Sequence, residues 1–150
     1  MAIQYVVGDA TNPIKKPAII AHVCNDQRGW GAGFVLAITR KWKKPEKIYR
    51  EAGSLSLGTN QYVLVEDGII VANMVAQHGF RSNINPVPLC YGPLETCLRN
   101  VASFIKHDDL KWSVHMPRIG CGLAGGKWEL VEPIIDKALA GIDVFVYDLK

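Results

Sequence analysis

No apolar stretch in this 150-residue chain approaches the roughly 20 residues that a bilayer span requires. The opening MAIQYVVGD has no basic region, no long apolar core and no small-residue cleavage site, so a cytoplasmic protein without a targeting peptide is expected. Cys24, Cys90, Cys97 and Cys121 form no CxxC pair and stand in no zinc-ligand spacing with histidine, which excludes a metal finger and points to reduced thiols. No set of Asp, Glu, His and Cys suggests a metal centre, and a site without metal or cofactor is expected. Repeats, low-complexity tracts and linkers are absent too. The formal charge of +3 is too small to make the chain a polycation. Its basic cluster, Arg40, Lys41, Lys43, Lys44 and Lys47, reads as a solvated helix face with at most a weak preference for polyanions.

What is present fits one domain over residues 1–150, with about half of the residues apolar. Short runs rich in Val, Ile and Tyr predict buried strands at 3–7, 18–23, 61–65, 69–75, 112–116 and 143–147. Helical spacing appears at 33–42, 45–52, 92–106 and 128–140, with Pro45 and Pro93 suited to first turns. Asp67-Gly68 between two strand-like runs signals a hairpin. Alternation elsewhere predicts a mixed, mostly parallel sheet of six strands with helices on both faces, a three-layer α/β/α architecture. Residues 79–91, GFRSNINPVPLCY, lack periodicity and read as a lid or binding loop.

Residues 116–128, MPRIGCGLAGGKW, carry the most information. A strand leads into a loop with glycine at 120, 122, 125 and 126, and a helix follows. Glycines let successive amides turn one way and approach a ligand closely, while a helix start adds unpaired donors and partial positive charge, so the loop predicts an anion site. The segment from Asn25 through Gly29-Trp30-Gly31-Ala32-Gly33 into Phe34 repeats that design. Two such loops suggest two anionic groups or one diphosphate. Neither GxxxxGK[ST] nor a clean GxGxxG is present, so an ATPase or a dinucleotide dehydrogenase is not supported.

Gly8-Asp9-Ala10 follows the first strand, where Asp9 either accepts from a base amine or ribose hydroxyl or caps a turn. Gln77 and His78 end the fourth strand, and His78 has a pKa range suited to proton transfer or is an exposed loop residue. His22 and His115 lie in apolar strands and read as hydrogen-bonded interior residues. Cys121 has lysine, not arginine, six positions later, and Arg28 is too close to Cys24, which argues against cysteine-phosphatase chemistry.

With Gly8-Asp9, Asn25 and the Gly29–Gly33 loop, PRIGCGL with Trp128, and the terminal Val144–Tyr147 strand in place, the chain resembles the macrodomain family nearly end to end. PRIGCGL followed by a tryptophan is most similar to the branch of terminal ADP-ribose glycohydrolases and antitoxins that remove ADP-ribose from DNA. The resemblance implies a macrodomain fold that binds ADP-ribose or an ADP-ribosylated protein or nucleic acid, as a monomer. Asp9 would face the adenine amine with the Ala10 amide nearby, Gly8 would be a ligand-binding neighbour, and Tyr147 would border the adenine or its ribose. Trp30, Gly31, Ala32, Gly33 and Phe34, together with Pro117, Ile119, Gly120, Cys121, Gly122, Leu123, Ala124 and Gly125, would hold the diphosphate and distal ribose.

Glycohydrolases of that branch carry a lysine where Gln77 stands and an aspartate where Ala124 stands. The resemblance therefore implies a different chemistry, substrate-assisted attack of water on an ADP-ribosyl linkage, with Asn25, Gln77 and His78 as catalytic candidates. The alternatives are a non-catalytic ADP-ribose reader and an ADP-ribose 1″-phosphate phosphatase.

Overall fold

The computed structural model describes residues 3–149. Ten elements follow in the order β1 (Ile3–Val7), β2 (Ala18–Asn25), α1 (Phe34–Lys41), α2 (Lys44–Arg50), β3 (Asn60–Glu66), β4 (Ile69–Gln77), α3 (Tyr91–His107), β5 (Ser113–Met116), α4 (Trp128–Ala138) and β6 (Val144–Asp148). One sheet has the order β1-β6-β5-β2-β4-β3, parallel throughout except for the β3–β4 hairpin, whose turn includes Gly68 at φ +80°. This is the expected three-layer α/β/α arrangement.

Side-chain alternation on β2 sorts the two faces. Ile19 and Ala21 join Leu94, Leu98 and Val101 of α3 and Val131 and Ile135 of α4 in one core. Ile20 and Cys24 point the other way, into a core with Val35 and Ile38 of α1 and Tyr49 of α2. Central β4 is buried along nearly its whole length, as a parallel strand covered on both faces must be. No helix among the described residues is long and apolar enough to cross a membrane.

Both β2 and β4 run two residues past the apolar runs that predicted them. β2 continues to Asn25 and β4 to Gln77, because a register shift between Cys24 and Asn25 lets Asn25 pair with Gln77. That bulge extends the sheet to the edge where both polar side chains emerge.

His22 and His115 are interior residues. The His22 ring donates through Nε2 to Asn73 Oδ1 at 2.6 Å, and Asn73 in turn donates to the Pro45 carbonyl at 3.1 Å. His115 lies between the Ser113 hydroxyl at 2.8 Å and the Tyr147 hydroxyl at 2.7 Å. Burial lowers the His22 pKa to about 4, with the Asn73 bond opposing it, and burial, assisted by the charge of Lys15, brings His115 to about 4.

Unfolded imidazoles protonate near pH 6.5, so from there down to about 4 the unfolded chain binds more protons than the folded one. Stability contributed by the neutral rings is complete above pH 6.5 and is lost on acidification, at up to about 1.4 kcal/mol per pH unit for each ring. Urea titrations at pH 7.5 and 5.0 should show this loss; equal unfolding free energies would contradict it.

Candidate functional site

At the C-terminal edge of the sheet, two adjoining cavities of about 250 and 310 Å³ form one cleft. They share Val23, Ala32, Val35, Gln77 and Leu123. The cleft lies over the ends of β2 and β4, between the start of α1 and the 117–126 loop, where open α/β sheets usually take ligands.

Two sets of unengaged backbone donors belong to residues that line this space. Gly33 caps α1 at φ +84° without a side-chain hydrogen bond. Among the described residues, the amides of Ala32, Gly33, Phe34 and Val35 have no acceptor in the protein. Opposite them, the amides of Gly120, Gly122, Leu123 and Ala124 are equally unengaged. Free donors at a helix N-terminus facing a second row of free amides make a cradle for an extended anion. The sequence placed the start of α4 at this site as well, but no residue beyond Ala124 lines either cavity, and the Lys127 amide is taken by the Tyr91 hydroxyl at 3.1 Å. The helical contribution comes from α1.

The glycines of the loop do different work. Gly125 adopts φ +74°, with the Pro86 carbonyl 2.8 Å from where a Cβ would sit. At Gly126 a Cβ would lie 2.5 Å from the Gly120 carbonyl. Gly31 and Gly122 have nothing within 4 Å of that position, so each leaves open space at the cleft.

Asn25 is buried beneath the cleft and is a wall of the larger cavity. Its Oδ1 accepts from the amides of Gln27 at 2.8 Å and Gly29 at 3.0 Å, and the Tyr49 hydroxyl shares its one proton between that oxygen, at 2.8 Å, and the Asn25 backbone carbonyl, at 2.6 Å. The two amides alone fill the two lone pairs of that oxygen. The carboxamide nitrogen has only a long contact to the Gly29 carbonyl, 3.4 Å. Gln77 differs: Nε2 donates to the Gly79 carbonyl at 3.1 Å, while Oε1 has no donor among the described residues, and the side chain lines both cavities.

His78 lies outside both cavities. Its Nδ1 donates to Asp26 Oδ2 at 2.7 Å, and Asp26 Oδ1 accepts the Gly79 amide at 2.9 Å, so the pair anchors the start of the long loop. Burial would raise the Asp26 pKa, but the bonds from His78 and Gly79 outweigh it and hold the carboxyl below its usual range.

Trp30 is a core residue. Its ring packs on His22 and Tyr49, and its indole N–H donates to Thr39. Tyr147 is buried as well, its hydroxyl accepting the Ile14 amide at 3.0 Å and meeting His115. Asp9 Oδ1 accepts from the Thr11 amide and hydroxyl, both at 2.8 Å, which leaves Oδ2 open on an exposed turn beside Gly8 and Ala10. Pro117, Ile119, Gly120, Gly122, Leu123 and Ala124 are walls of the smaller cavity with Ala32, Gly33 and Phe34, and Gly31 is a wall of the larger. Cys121 and Gly125 line neither. Burial raises the thiol pKa of Cys121 and of Cys24, so neither presents a thiolate.

Among the cleft residues not singled out from sequence are Val23, Val35 and three loop side chains. Phe80 and Arg81 of the long loop line the larger cavity, and Arg118 lines the smaller. The irregular 79–91 segment marked the loop, but nothing local showed which of its side chains turn inward. Among the described residues no group of three His, Cys, Asp or Glu side chains could hold a metal ion.

The architecture and the unengaged amides define an α/β protein with a cleft lined by free backbone donors at the carboxyl edge of its sheet. No family model matches the chain. A macrodomain protein from Streptomyces coelicolor is 48% identical, with 97% of this chain and 98% of that one covered at a TM-score of 0.83. A protein of unknown function from Bacteroides thetaiotaomicron is 49% identical at a TM-score of 0.92, with 99% of each chain covered. The ADP-ribose 1″-phosphate phosphatase of Lodderomyces elongisporus is 29% identical, with 98% of each chain covered. Mouse chromodomain-helicase-DNA-binding protein 1-like is 34% identical over 161 residues, but the chain spans only 18% of its length. The chain belongs to the macrodomain family.

Because Gly122 borders open space and Gly126 does not, their substitutions should separate. Gly122→Val is expected to leave the melting temperature within about 2 °C and weaken anion binding at least about tenfold by filling the cradle. Gly126→Ala should destabilise by about 1–3 kcal/mol through overpacking. Thermal melts and calorimetry on both variants check this, and equal effects on stability would contradict it.

Proposed function

We propose that this macrodomain binds ADP-ribose and hydrolyses an ADP-ribosyl linkage or processes an ADP-ribose derivative. The observation that carries the reading is the two sets of unengaged amides, Ala32–Val35 and Gly120 with Gly122–Ala124, on the walls of one cleft. In this reading the diphosphate and distal ribose lie between the rows. The adenine reaches past Phe34 toward Ala10, where Asp9 Oδ2 is free to accept its amine.

Chemistry at the distal ribose then needs no strong protein base. Water attacks C1, the bond from C1 to the leaving group breaks, and the water proton passes to the substrate's own phosphate or to the departing group. Fixed amides stabilise the negative charge. Gln77 Oε1 is the open acceptor beside that point and suits the positioning of water. The saturated Oδ1 of Asn25 does not, which leaves Asn25 two roles: shaping the Gly29 loop and offering its amide nitrogen.

A second reading, removal of a phosphate from ADP-ribose 1″-phosphate, draws on Arg81. This cleft-lining residue has no carboxylate within 4.0 Å among the described residues, and it stands at the cavity shared with Gln77. The fungal relative, an ADP-ribose 1″-phosphate phosphatase, agrees with it. Four free cysteines support a reducing, cytoplasmic setting, and we read the protein as a monomer.

Calorimetry should give micromolar affinity for ADP-ribose, and no heat at millimolar ligand would overturn the assignment. On whichever ADP-ribosylated protein, nucleic acid or 1″-phosphate substrate turns over, Gln77→Leu should lower kcat roughly 100-fold. Affinity for ADP-ribose should stay within about threefold, since the amide rows are untouched. Asn25→Asp keeps the saturated oxygen and replaces the nitrogen, so it should fold normally; full activity in this variant would remove the nitrogen from the mechanism. A binding-only protein would leave every substrate in the panel intact.

A further inference from the structure

The ends of the 117–126 loop are tied together by side chains that the ADP-ribose reading leaves without a role. Arg118 opens the loop, and Trp128 follows its end. The Arg118 guanidinium lies 5.2 Å from the Trp128 ring centroid and 5.1 Å from that of Tyr5 on β1. Tyr5 and Trp128 meet edge to face at 6.3 Å, and the indole N–H donates to the Tyr5 hydroxyl at 3.0 Å. The Tyr5 hydroxyl in turn donates to Glu132 of α4. Arg118 completes the set by donating through Nε and Nη2 to the two Asp148 carboxylate oxygens, at 2.7 and 3.0 Å.

Asp148 ends β6, and its carbonyl accepts the Gly8 amide at 2.9 Å. One arginine thus joins the start of the loop, the helix after it and the ends of two strands. Within the loop itself only three backbone bonds hold the chain: Cys121 to Arg118 at 3.4 Å, Gly125 to Gly122 at 3.0 Å and Gly126 to Gly120 at 2.8 Å. The amides that must stay free for a ligand are those that cannot stabilise the loop. Its shape therefore has to come from outside.

We propose that Arg118 is a positioning residue for this macrodomain, a clasp that holds the amides of Gly120–Ala124 in place before an anion arrives. It acts through the loop rather than as a phosphate ligand, because its two strongest donors are already given to Asp148 and its planar face to two rings. A fork geometry with stacking is specific to arginine, and lysine reproduces only the charge. The inference rests on the anion-cradle reading of the cleft.

The test uses the full chain. With no ligand present, Asp148→Asn leaves the arginine in place but breaks the two-point bond, and 15N relaxation should show faster motion at residues 119–126. Unchanged relaxation there overturns the clasp, whatever the protein binds. With ADP-ribose as probe, Arg118→Gln and Asp148→Asn should each weaken binding about tenfold. The double variant should be no weaker than either, and Arg118→Lys should fall between. Salt dependence should match that of the wild-type protein, since no charge contact to ligand is lost.

Tighter binding by Asp148→Asn, or a flattened salt dependence in Arg118→Gln, would make the arginine a direct phosphate ligand and overturn the proposal. If the wild-type protein fails to bind ADP-ribose, the functional reading falls, while the relaxation result still decides the clasp.

Discussion

One buried carbonyl oxygen organises the entry to the cleft. Asn25 Oδ1 accepts from the Gln27 and Gly29 amides, and the Tyr49 hydroxyl shares its proton between that oxygen and the Asn25 backbone carbonyl. The chain leaving β2 is thereby folded back over its own strand end and tied to α2, so that α1 begins with its free amides toward the cleft. The cavity wall, the α1 N-terminus and the seating of Phe80 against Gly29 all depend on this turn.

The opposite wall is built on other terms. Gly125 and Gly126 let the loop pack against Pro86, Leu89 and its own backbone, at distances that no side chain would tolerate. Its ligand-facing amides stay unpaired, so shape is imposed by Leu89 beneath and by the Arg118 contacts at the ends. Both walls follow one rule: donors meant for a ligand cannot also hold the scaffold, and buried polar groups or close glycine contacts do it instead.

The strand and helix order could be read along the chain because periodicity is a local property. Alternating Ile, Val and Ala on β2 and β4, the Asp67-Gly68 turn and the apolar stripe of α4 each announce themselves within a few residues. The same is true of the two glycine-rich loops, which marked most of the cleft wall. Roles of single side chains were less legible. Asn25 looked like a water-positioning group, yet its oxygen is taken by the Gln27 and Gly29 amides and lies against the Tyr49 hydroxyl, 24 positions away. His78 looked like a proton carrier, yet it is turned to Asp26, 52 positions back. Trp30 sat among glycines and went to the core, since a large indole gains more from burial than from a polar rim.

By itself the sequence determined which segments are strands, which are helices and where glycine permits close backbone approach, since steric preference and side-chain alternation act between near neighbours. Tertiary structure alone decided which donors remain free, which oxygens are saturated and which cation is bound to the scaffold. Those outcomes turn on hydrogen bonds between residues far apart in the chain, such as Arg118 with Asp148, and a polar group is open to a ligand only after every such partner has been placed.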